Sequence, residues 1–534
     1  MNNEQRTIKN FVVLLTELSV IFLMVLGVIP LEAGLFLTGL LVFYFIFSPL
    51  EDSLWIFIAS IPLFVALPIT ESFDSMANWR ILLAILFLVL FFRSGISISL
   101  IKDASRKWKL KKNLKYYQWE YLTGIFLSIG VLSLFVADDI WIGIKKILFL
   151  INIFLLYIII RNLAAKNREV IPKIVNAMKV AIGLVLAIGF VQFMAVFFVR
   201  LYPFWQFWAK HVISVFYGQS LSNLLSYSNT WFSYYTSLPA TLRMFSVFPD
   251  SHSFAFFCVL ALPFFLTAII LRPKKDKTKS VIYYLILIVC LLAIIFSGSR
   301  GAWVSALGSL LVFLFIVFLY WSPTVRSWTN FFMPKFFKNW RRQIILIFGC
   351  LIIFFLLFPI SSRILLYSQQ VQLDRPIDLE ELSLFERARS IIDFDEISVK
   401  NRLEIWQKTI NSIALNPVLG VGIGNYPKVL GEKLSSVKRG ASAHNLYLDV
   451  ASEMGIFALL VLLAIFWQIF KTSWKIFTLD TQCSAYCAGF FVLALIWILS
   501  YSLFDVVLIN DKVFLFFTAN LGLLYSLRVN KCKI

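Results

Sequence analysis

Apolar runs of about 17 to 25 residues, separated by shorter polar connections, follow one another along most of the chain. A run of this length matches a helix that crosses the hydrocarbon core of a bilayer. The first run leads directly into others and lacks a small-residue cleavage site, so it is interpreted as a retained span. The pattern predicts an all-α polytopic membrane protein with about 12 to 14 transmembrane helices. The fourteen predicted spans are 10–30, 33–49, 54–70, 80–95, 120–137, 140–160, 176–200, 250–271, 281–297, 302–321, 344–360, 445–470, 483–504 and 512–528.

The composition supports the membrane assignment, and the charge distribution adds an orientation. Apolar residues make up 60% of the chain, which is too hydrophobic for a water-soluble globular protein. Basic clusters such as SRKWKLKKNLK and RPKKDKTK recur in alternate connections. These connections are expected in the cytoplasm, together with both termini. The net charge of +20 is therefore read as a topology signal that favours anionic lipid and not nucleic acid.

Four regions are predicted along the chain. Residues 1–243 hold N-terminal transmembrane helices, 244–360 hold further helices, 361–444 form a large outer loop, and 445–534 return to the membrane. Within the outer loop, LEELSLFERARSII and VKNRLEIWQKTINSIAL carry apolar residues at helical spacing, which predicts a small helical cap. The six cysteines are scattered among spans and the tail, so no structural disulfide or cysteine metal site is expected.

The segment 201–243 is crowded with aromatic residues, as in YPFWQFWAKH and WFSYY. Tyr and Trp favour the membrane–water interface. The segment is interpreted as an interfacial or re-entrant stretch that could guide a lipid tail. An ordinary aromatic belt remains the alternative.

Four charged or titratable side chains lie next to span ends on the predicted outer side: Arg243, Arg300, Arg402 and His444. The planar guanidinium of arginine donates paired hydrogen bonds and stays charged, which suits a phosphate-rich ligand. For each arginine alone, snorkelling to the interface or a carboxylate partner explains the residue equally well.

His444 opens an apolar helix. Ser442 is a plausible N-cap, which would put the imidazole in the first turn, where the helix dipole favours its neutral form. Asn445, Asp449 and Glu453 follow at four-residue spacing and form a polar stripe. The stripe is expected to face the bundle or an aqueous cavity. A capping histidine with satisfied polar neighbours is the alternative.

Other polar features point to weaker hypotheses. Asp138 and Asp139 end a span on the predicted outer side and could hold a metal ion, but no further ligands lie near them in the sequence. The run GVGIGNY is interpreted as a turn because it lacks the βαβ context of a dinucleotide site. Charges expected to be buried could instead line a solute path in a transporter. These charges are Lys145, Lys146, Lys179 and Asp505.

Three stretches together resemble the O-antigen ligase and polymerase superfamily. The first joins Arg402, Trp406 and NPVLGVGIGNY to AHNLYLDVASEMGIFALL. The second, FSGSRGAWVSALGSLLVFL, resembles the family's Ser-Arg-Gly span, and the third, LRMFSVFPDSHSFA, resembles its upstream arginine stretch. This sequence departs from the family at Ser246, where glycine is usual, and at Ser251 and His252, which replace a Pro-Asn pair.

The resemblance implies a bundle similar to that of membrane glycosyltransferases with many transmembrane helices. It implies transfer of a glycan from an undecaprenyl-pyrophosphate carrier to an acceptor hydroxyl on the outer face of the bacterial plasma membrane, without metal or cofactor and with inversion. His444, Arg402 and Arg300 are the implied catalytic residues. The implied substrate-binding residues are Arg243, Asn445, Trp406 and Glu453. Ligase and polymerase remain open alternatives, because the acceptor and the sugars do not follow from these residues.

The charge bias predicts which connections are accessible from outside the cell. Cysteines introduced near residues 385 and 435 are expected to react with an impermeant maleimide once the outer barrier is opened, whereas one near residue 110 is not. Labelling of the parent chain gives the background. Reaction at 110 without reaction at 385 would invert the predicted orientation.

Overall fold

The computed structural model describes residues 3–69, 76–94, 118–228, 230–234, 240–271, 277–321, 341–373, 397–431, 441–479 and 482–529. This part of the chain is mostly α-helical. Its helices are α1 (Asn3–Val25), α2 (Ala33–Phe47), α3 (Leu50–Ala59), α4 (Asn78–Ser94), α5 (Gln118–Ser133), α6 (Ile140–Lys166), α7 (Val170–Ala195), α8 (Leu201–Phe207), α9 (Ser214–Tyr217), α10 (Gln219–Leu225), α11 (Ser251–Leu271), α12 (Lys277–Phe296), α13 (Arg300–Trp321), α14 (Arg341–Leu373), α15 (Ile397–Leu415), α16 (Leu446–Leu479), α17 (Gln482–Tyr501) and α18 (Asp511–Val529).

Seven of the helices in the described residues are long and apolar enough to cross a membrane. They run from Gln5–Val25 near the N-terminus to Leu446–Phe477, and four shorter apolar helices accompany them. The predicted all-α polytopic membrane fold is confirmed. Strands are limited here to two short antiparallel pairs: β1 (Ala66–Leu67) with β2 (Met76–Ala77), and β3 (Phe232–Ser233) with β4 (Thr241–Leu242).

The predicted span at 54–70 is wrong. Helix α3 ends at Ala59, and Pro62 then lies in a 3₁₀ turn that leads into β1. Ten helical residues extend only about 15 Å, half the thickness of a bilayer core. The backbone groups that leave the helix are satisfied inside the protein, where Val65 N–H donates to Asn78 Oδ1 and Asn78 N–H donates to Val65 O. Irregular backbone is tolerated inside the bundle here because the turn is buried in protein and not exposed to lipid.

The large loop also differs from the prediction in its first part. Helix α14 continues to Leu373, past residue 360 where the span was expected to end. Helix α15 covers the second helix that the sequence predicts in the loop. The first, expected at 379–392, lies outside the described residues, as do positions 110, 385 and 435.

The aromatic segment does not form a continuous helix. It folds into α8, a π-helical turn at Trp208–Ile213, α9, α10 and the β3–β4 pair. Indole groups hold these pieces together: Trp205 Nε1 donates to Leu225 O, and Trp231 Nε1 donates to Pro249 O. The Trp231 ring also stacks on Phe245 at 4.3 Å between centroids. The segment therefore packs against the stretch that follows Arg243.

Helix α16 is interrupted inside the bundle at Gly455, which has φ 85° and ψ 172°. The break frees the carbonyl groups of Ser452 and Glu453, which accept hydrogen bonds from the backbone N–H groups of Val421 and Gly422, both at 2.9 Å. Ile456 N–H in turn donates to Pro417 O at 2.8 Å. The glycine-rich loop after α15 is thus docked against the break, and residues 446–454 form a short half-helix.

Glycine is required at the break for two reasons. Its φ lies in the left-handed region, and a Cβ there would stand 2.1 Å from Val418 O. On the loop side, a Cβ on Gly420 would stand 2.4 Å from Ser452 O, and one on Gly422 would stand 2.5 Å from Ala137 Cα. Neither contact can be relieved by a side-chain movement, because backbone atoms form it.

The substitution Gly455→Ala should separate the loop from α16 and lower the midpoint of thermal unfolding of the purified protein. Gly431→Ala is the matched control, because Gly431 also has a left-handed φ of 73° but, among the described residues, no atom lies within 4 Å of the position that a Cβ would occupy. The control bears only the conformational strain, roughly 1–3 kcal/mol. Equal shifts of the two midpoints would contradict the proposed clash.

Candidate functional site

The Ser-Arg-Gly stretch joins α12 to α13 and lets two other elements approach closely. A Cβ on Gly298, whose φ is 62°, would lie 3.0 Å from Ser233 Oγ and 3.2 Å from Arg243 Cγ. A Cβ on Gly301 would lie 2.6 Å from the ring of Tyr501. Because both residues are glycines, Arg243 can pack against Gly298 and Tyr501 can pack against Gly301.

Ser246 stands where the resembling family has glycine, and its backbone has a φ of 52°. Such a conformation is costly for a residue with a Cβ. Buried hydrogen bonds hold it: Ser246 Oγ donates to Val185 O at 2.7 Å, and Ser246 N–H donates to Gln192 Oε1 at 2.9 Å. The departure from the family motif therefore preserves the backbone turn that follows Arg243.

His252, at the start of α11, joins a buried network of hydroxyl groups. Its Nδ1 lies 2.9 Å from Ser299 Oγ and 2.9 Å from Tyr501 Oη. The two hydroxyl groups also bond to each other at 2.5 Å. Asp250 caps the same helix by accepting from Ser253 N–H, and burial raises the pKa of Asp250 to about 6.

His444 lies immediately before α16 and not in its first turn. Helix α16 starts at Leu446, and its cap is Asn445, whose Oδ1 accepts from Tyr447 N–H and Leu448 N–H. The predicted N-cap role of Ser442 is thus wrong, because the helix begins three residues later than that role requires. His444 itself has a φ of 47°, a strained conformation of the kind found at functional sites.

Two contacts fix the backbone on which His444 stands. Trp406 Nε1 on α15 donates to Ala443 O at 2.9 Å, and Ala443 N–H donates to Asp449 Oδ1 at 3.1 Å. Trp406 thereby links the helix of Arg402 to the residue before His444. Arg402 lies one turn before Trp406 on the same helix.

Asp505 lies between the two histidines. Its Oδ1 is 3.8 Å from His444 Nδ1, and its Oδ2 is 3.9 Å from His252 Nδ1. Burial alone raises the pKa of the Asp505 carboxyl, but the facing His444 and His252 outweigh burial and bring the pKa to about 2. The carboxylate is therefore held in its charged form at neutral pH.

The arginines approach this group from different elements. Arg243 Nε donates to Ser233 Oγ at 3.2 Å, and both Arg243 and Arg402 lie close enough to His252 for their charges to act on it. Arg300 is the residue next to Ser299, at the start of α13. Arg243 and Arg402 thus lie near His252, which shares Asp505 with His444, and Arg300 adjoins the network.

Glu453 lies deeper along the half-helix and is buried. Lys146 on α6 binds it at 2.6 Å and lies 3.9 Å from Asp449 Oδ2. The polar stripe faces the bundle interior. Lys146 therefore serves as an ionic partner there, and Lys179, a further candidate for a solute path, lies 5.6 Å over the ring of Tyr283.

The acidic pair proposed for a metal ion has other contacts. Asp138 binds Lys428 at 2.6 Å. Asp139 caps α6 by accepting from Ile142 N–H, while Asp139 N–H donates to Asn425 Oδ1. Within the described ranges, three or more potential His, Cys, Asp or Glu ligands do not cluster anywhere.

An apolar cavity of about 120 Å³ begins beside the site and extends between α5, α6, α16 and α18. Its lining includes Leu446, two residues after His444, and Leu508, three residues after Asp505. From there it reaches Phe466 and Leu521 deeper in the bundle.

Sequence reasoning missed three members of this group: His252, Tyr501 and Asp505. The sequence marks His252 only as a departure from a motif, although it is one of three histidines in a chain of 534 residues. Asp505 is predicted only as a buried charge that could line a solute path. Its position directly after the apolar run of α17 was the available signal. An acidic group there costs free energy unless it has a partner, so it marks a candidate functional residue.

Comparison with known families adds independent information about this region. Residues 285–463 match the family model described as O-antigen ligase. The match contains Arg300, Arg402, Trp406 and His444, whereas Arg243, His252 and Asp505 lie outside it. None of the curated proteins compared with the chain matches it.

Proposed function

Because residues 285–463 match the O-antigen ligase family, we propose that this membrane protein is a glycosyltransferase. In this proposal it moves a glycan from an undecaprenyl-pyrophosphate carrier to an acceptor hydroxyl on the outer face of the bacterial plasma membrane. The observation that carries the proposal is that His444 and His252 face the same carboxylate, Asp505, at 3.8 Å and 3.9 Å. Arg243 and Arg402 lie close enough to His252 for their charges to act on it. Cations gathered there suit a diphosphate, and a histidine beside them suits a proton transfer.

The leaving group in this reaction is the carrier pyrophosphate, on which negative charge grows as the sugar departs. Fixed cations in a partly dry site stabilise such charge, a task that other enzymes give to a divalent metal. Arg243, Arg300 and Arg402 are the proposed donors. The helices α11, α13 and α16 all start near this group, and their positive ends favour an anion in the same place.

The acceptor hydroxyl must lose its proton as its oxygen attacks the anomeric carbon. His444 is the proposed base. Its side chain is 45% exposed although Nδ1 is buried, so the accessible part of the ring lies on the Nε2 side. The acceptor proton passes to Nε2, the new glycosidic bond forms, and the bond between the anomeric carbon and the pyrophosphate oxygen breaks on the opposite face. Because the acceptor oxygen attacks from the face opposite the leaving group, the anomeric centre is inverted.

The carrier also has a long apolar tail, and the cavity between α5, α6, α16 and α18 offers apolar surface to a short part of such a tail. Its walls are almost entirely apolar, and its end at Leu446 lies next to the proposed base. A polymerase of the same superfamily would use these residues in the same way and differ in its acceptor, which would be another repeat unit.

A transfer assay tests the proposed function directly. Purified protein, incubated with a lipid-linked glycan donor and a hydroxyl acceptor, should yield a larger glycoconjugate and free undecaprenyl pyrophosphate. We expect a metal chelator to leave turnover nearly unchanged, because arginines supply the positive charge. Movement of a labelled solute into sealed vesicles without a glycan product would favour a transporter instead.

The substitution His444→Ala should lower turnover by roughly 10² to 10⁴ while donor binding stays nearly intact, because the imidazole meets the acceptor proton. Arg402→Ala should weaken donor binding and turnover together. Arg402→Lys should restore only part of both, since lysine lacks the planar two-pronged donor geometry. The measurement is transfer beside donor binding on the same purified variants.

Lys408→Ala is the control for the arginine variants, because Lys408 is an exposed cation on the same helix α15. Its transfer and donor binding should match those of the parent. Near-normal transfer by His444→Ala would reject the base assignment.

A further inference from the structure

Asp505 occupies the position expected of a group that orients a catalytic base. It is buried, and it faces the Nδ1 edge of His444, the edge turned away from the accessible side of the ring. His444 Nδ1 is a buried atom without a hydrogen-bond partner among the described residues. A buried imidazole nitrogen without a partner costs free energy, and the nearest carboxylate oxygen stands 3.8 Å away.

The distance is longer than a hydrogen bond. Hydrogen bonds of catalytic groups are often long before the substrate binds and shorten in the complex. Oδ1 of Asp505 already accepts Val506 N–H at 2.8 Å, and this bond fixes the plane of the carboxylate. A carboxylate oxygen has a second lone pair, which is available to the His444 ring.

His252 does not compete for the same role. Its Nδ1 already lies 2.9 Å from both the Ser299 and Tyr501 hydroxyl groups. Its side chain is only 20% exposed, compared with 45% for His444. His252 therefore anchors the far side of Asp505, and the more accessible ring is the one that can meet an acceptor.

We propose that Asp505 is a positioning residue for His444: it accepts a hydrogen bond from Nδ1–H, holds the proton on that nitrogen, and leaves Nε2 free to take the acceptor proton. The inference rests on the proposed function. During the reaction, the proton moves from the acceptor oxygen to Nε2, the imidazole becomes positively charged, and the adjacent carboxylate stabilises that charge without being protonated.

The experiment is a double-mutant cycle in the transfer assay with Asp505→Asn, His444→Ala and the double variant. Asparagine has the same shape and can still accept Val506 N–H, so we expect the fold and the KM for the donor to persist. Turnover should fall by roughly 10² or more, because the amide permits the wrong tautomer of His444. In the His444→Ala background, Asp505→Asn should change turnover by less than about twofold, since the two residues act as one unit.

Asp505→Glu supplies a second measurement that keeps the charge. We expect Asp505→Glu to retain more turnover than Asp505→Asn. If the asparagine variant does not fold, the turnover of Asp505→Glu tests the positioning role instead. Asp138→Asn is the matched control, because Asp138 is an exposed carboxylate that pairs with Lys428. Turnover of the control should equal that of the parent.

Distinct outcomes would overturn the proposal. Full turnover by Asp505→Asn would do so, as would an equal fall in the presence and absence of His444, since Asp505 would then act independently of that ring. Loss of donor binding together with turnover in Asp505→Glu would assign the residue to the donor site instead. Absence of glycan transfer by the parent protein would contradict the proposed function. The turnover of each variant relative to the parent tests the role of Asp505.

Discussion

The interruption of α16 at Gly455 is the constraint on which the arrangement of the site depends. A continuous helix would satisfy its own backbone groups and leave no partner for the loop after α15. The break instead exposes carbonyl groups inside an apolar bundle, where they must be satisfied by other protein groups. Val421 and Gly422 supply those hydrogen bonds, and the loop is thereby tied to the half-helix that begins just after His444. Trp406 then connects α15 to Ala443, so both sides of the loop are fixed.

Backbone strain is concentrated at the same end of the bundle. Among the described residues other than glycine, left-handed φ values occur at Ser246 and His444. One follows Arg243 and the other is the proposed base. Ser246 is held by hydrogen bonds to Val185 and Gln192, far away in the sequence. The residue before His444, Ala443, accepts a hydrogen bond from Trp406 on α15. Strain of this kind persists only where the surrounding structure determines it, which fits a preorganised site.

Much of the fold and part of the site could be predicted from the sequence. Long apolar runs and basic connections indicate membrane helices because the bilayer selects for length and hydropathy. Arg243, Arg300, Arg402 and His444 could be picked out because charged groups are costly beside apolar runs. The short helix α3 could not be recognised, since its run is as apolar as a true span and only its packing inside the bundle permits the turn at Pro62. The cap at Asn445 was missed because Ser442 satisfies the same local preference.

The sequence by itself determined the membrane class, most helix positions and the chemical types of the candidate site residues. Tertiary structure alone decided that His252, Tyr501 and Asp505 join them, because these residues come from α11, the end of α17 and the connection after it. No local pattern encodes the contact between Ser299 and Tyr501, which are 202 positions apart. That contact arises because Gly301 lacks a side chain and lets the Tyr501 ring approach. Local preferences act over a few residues, whereas the proximity of these groups is set by how whole helices pack.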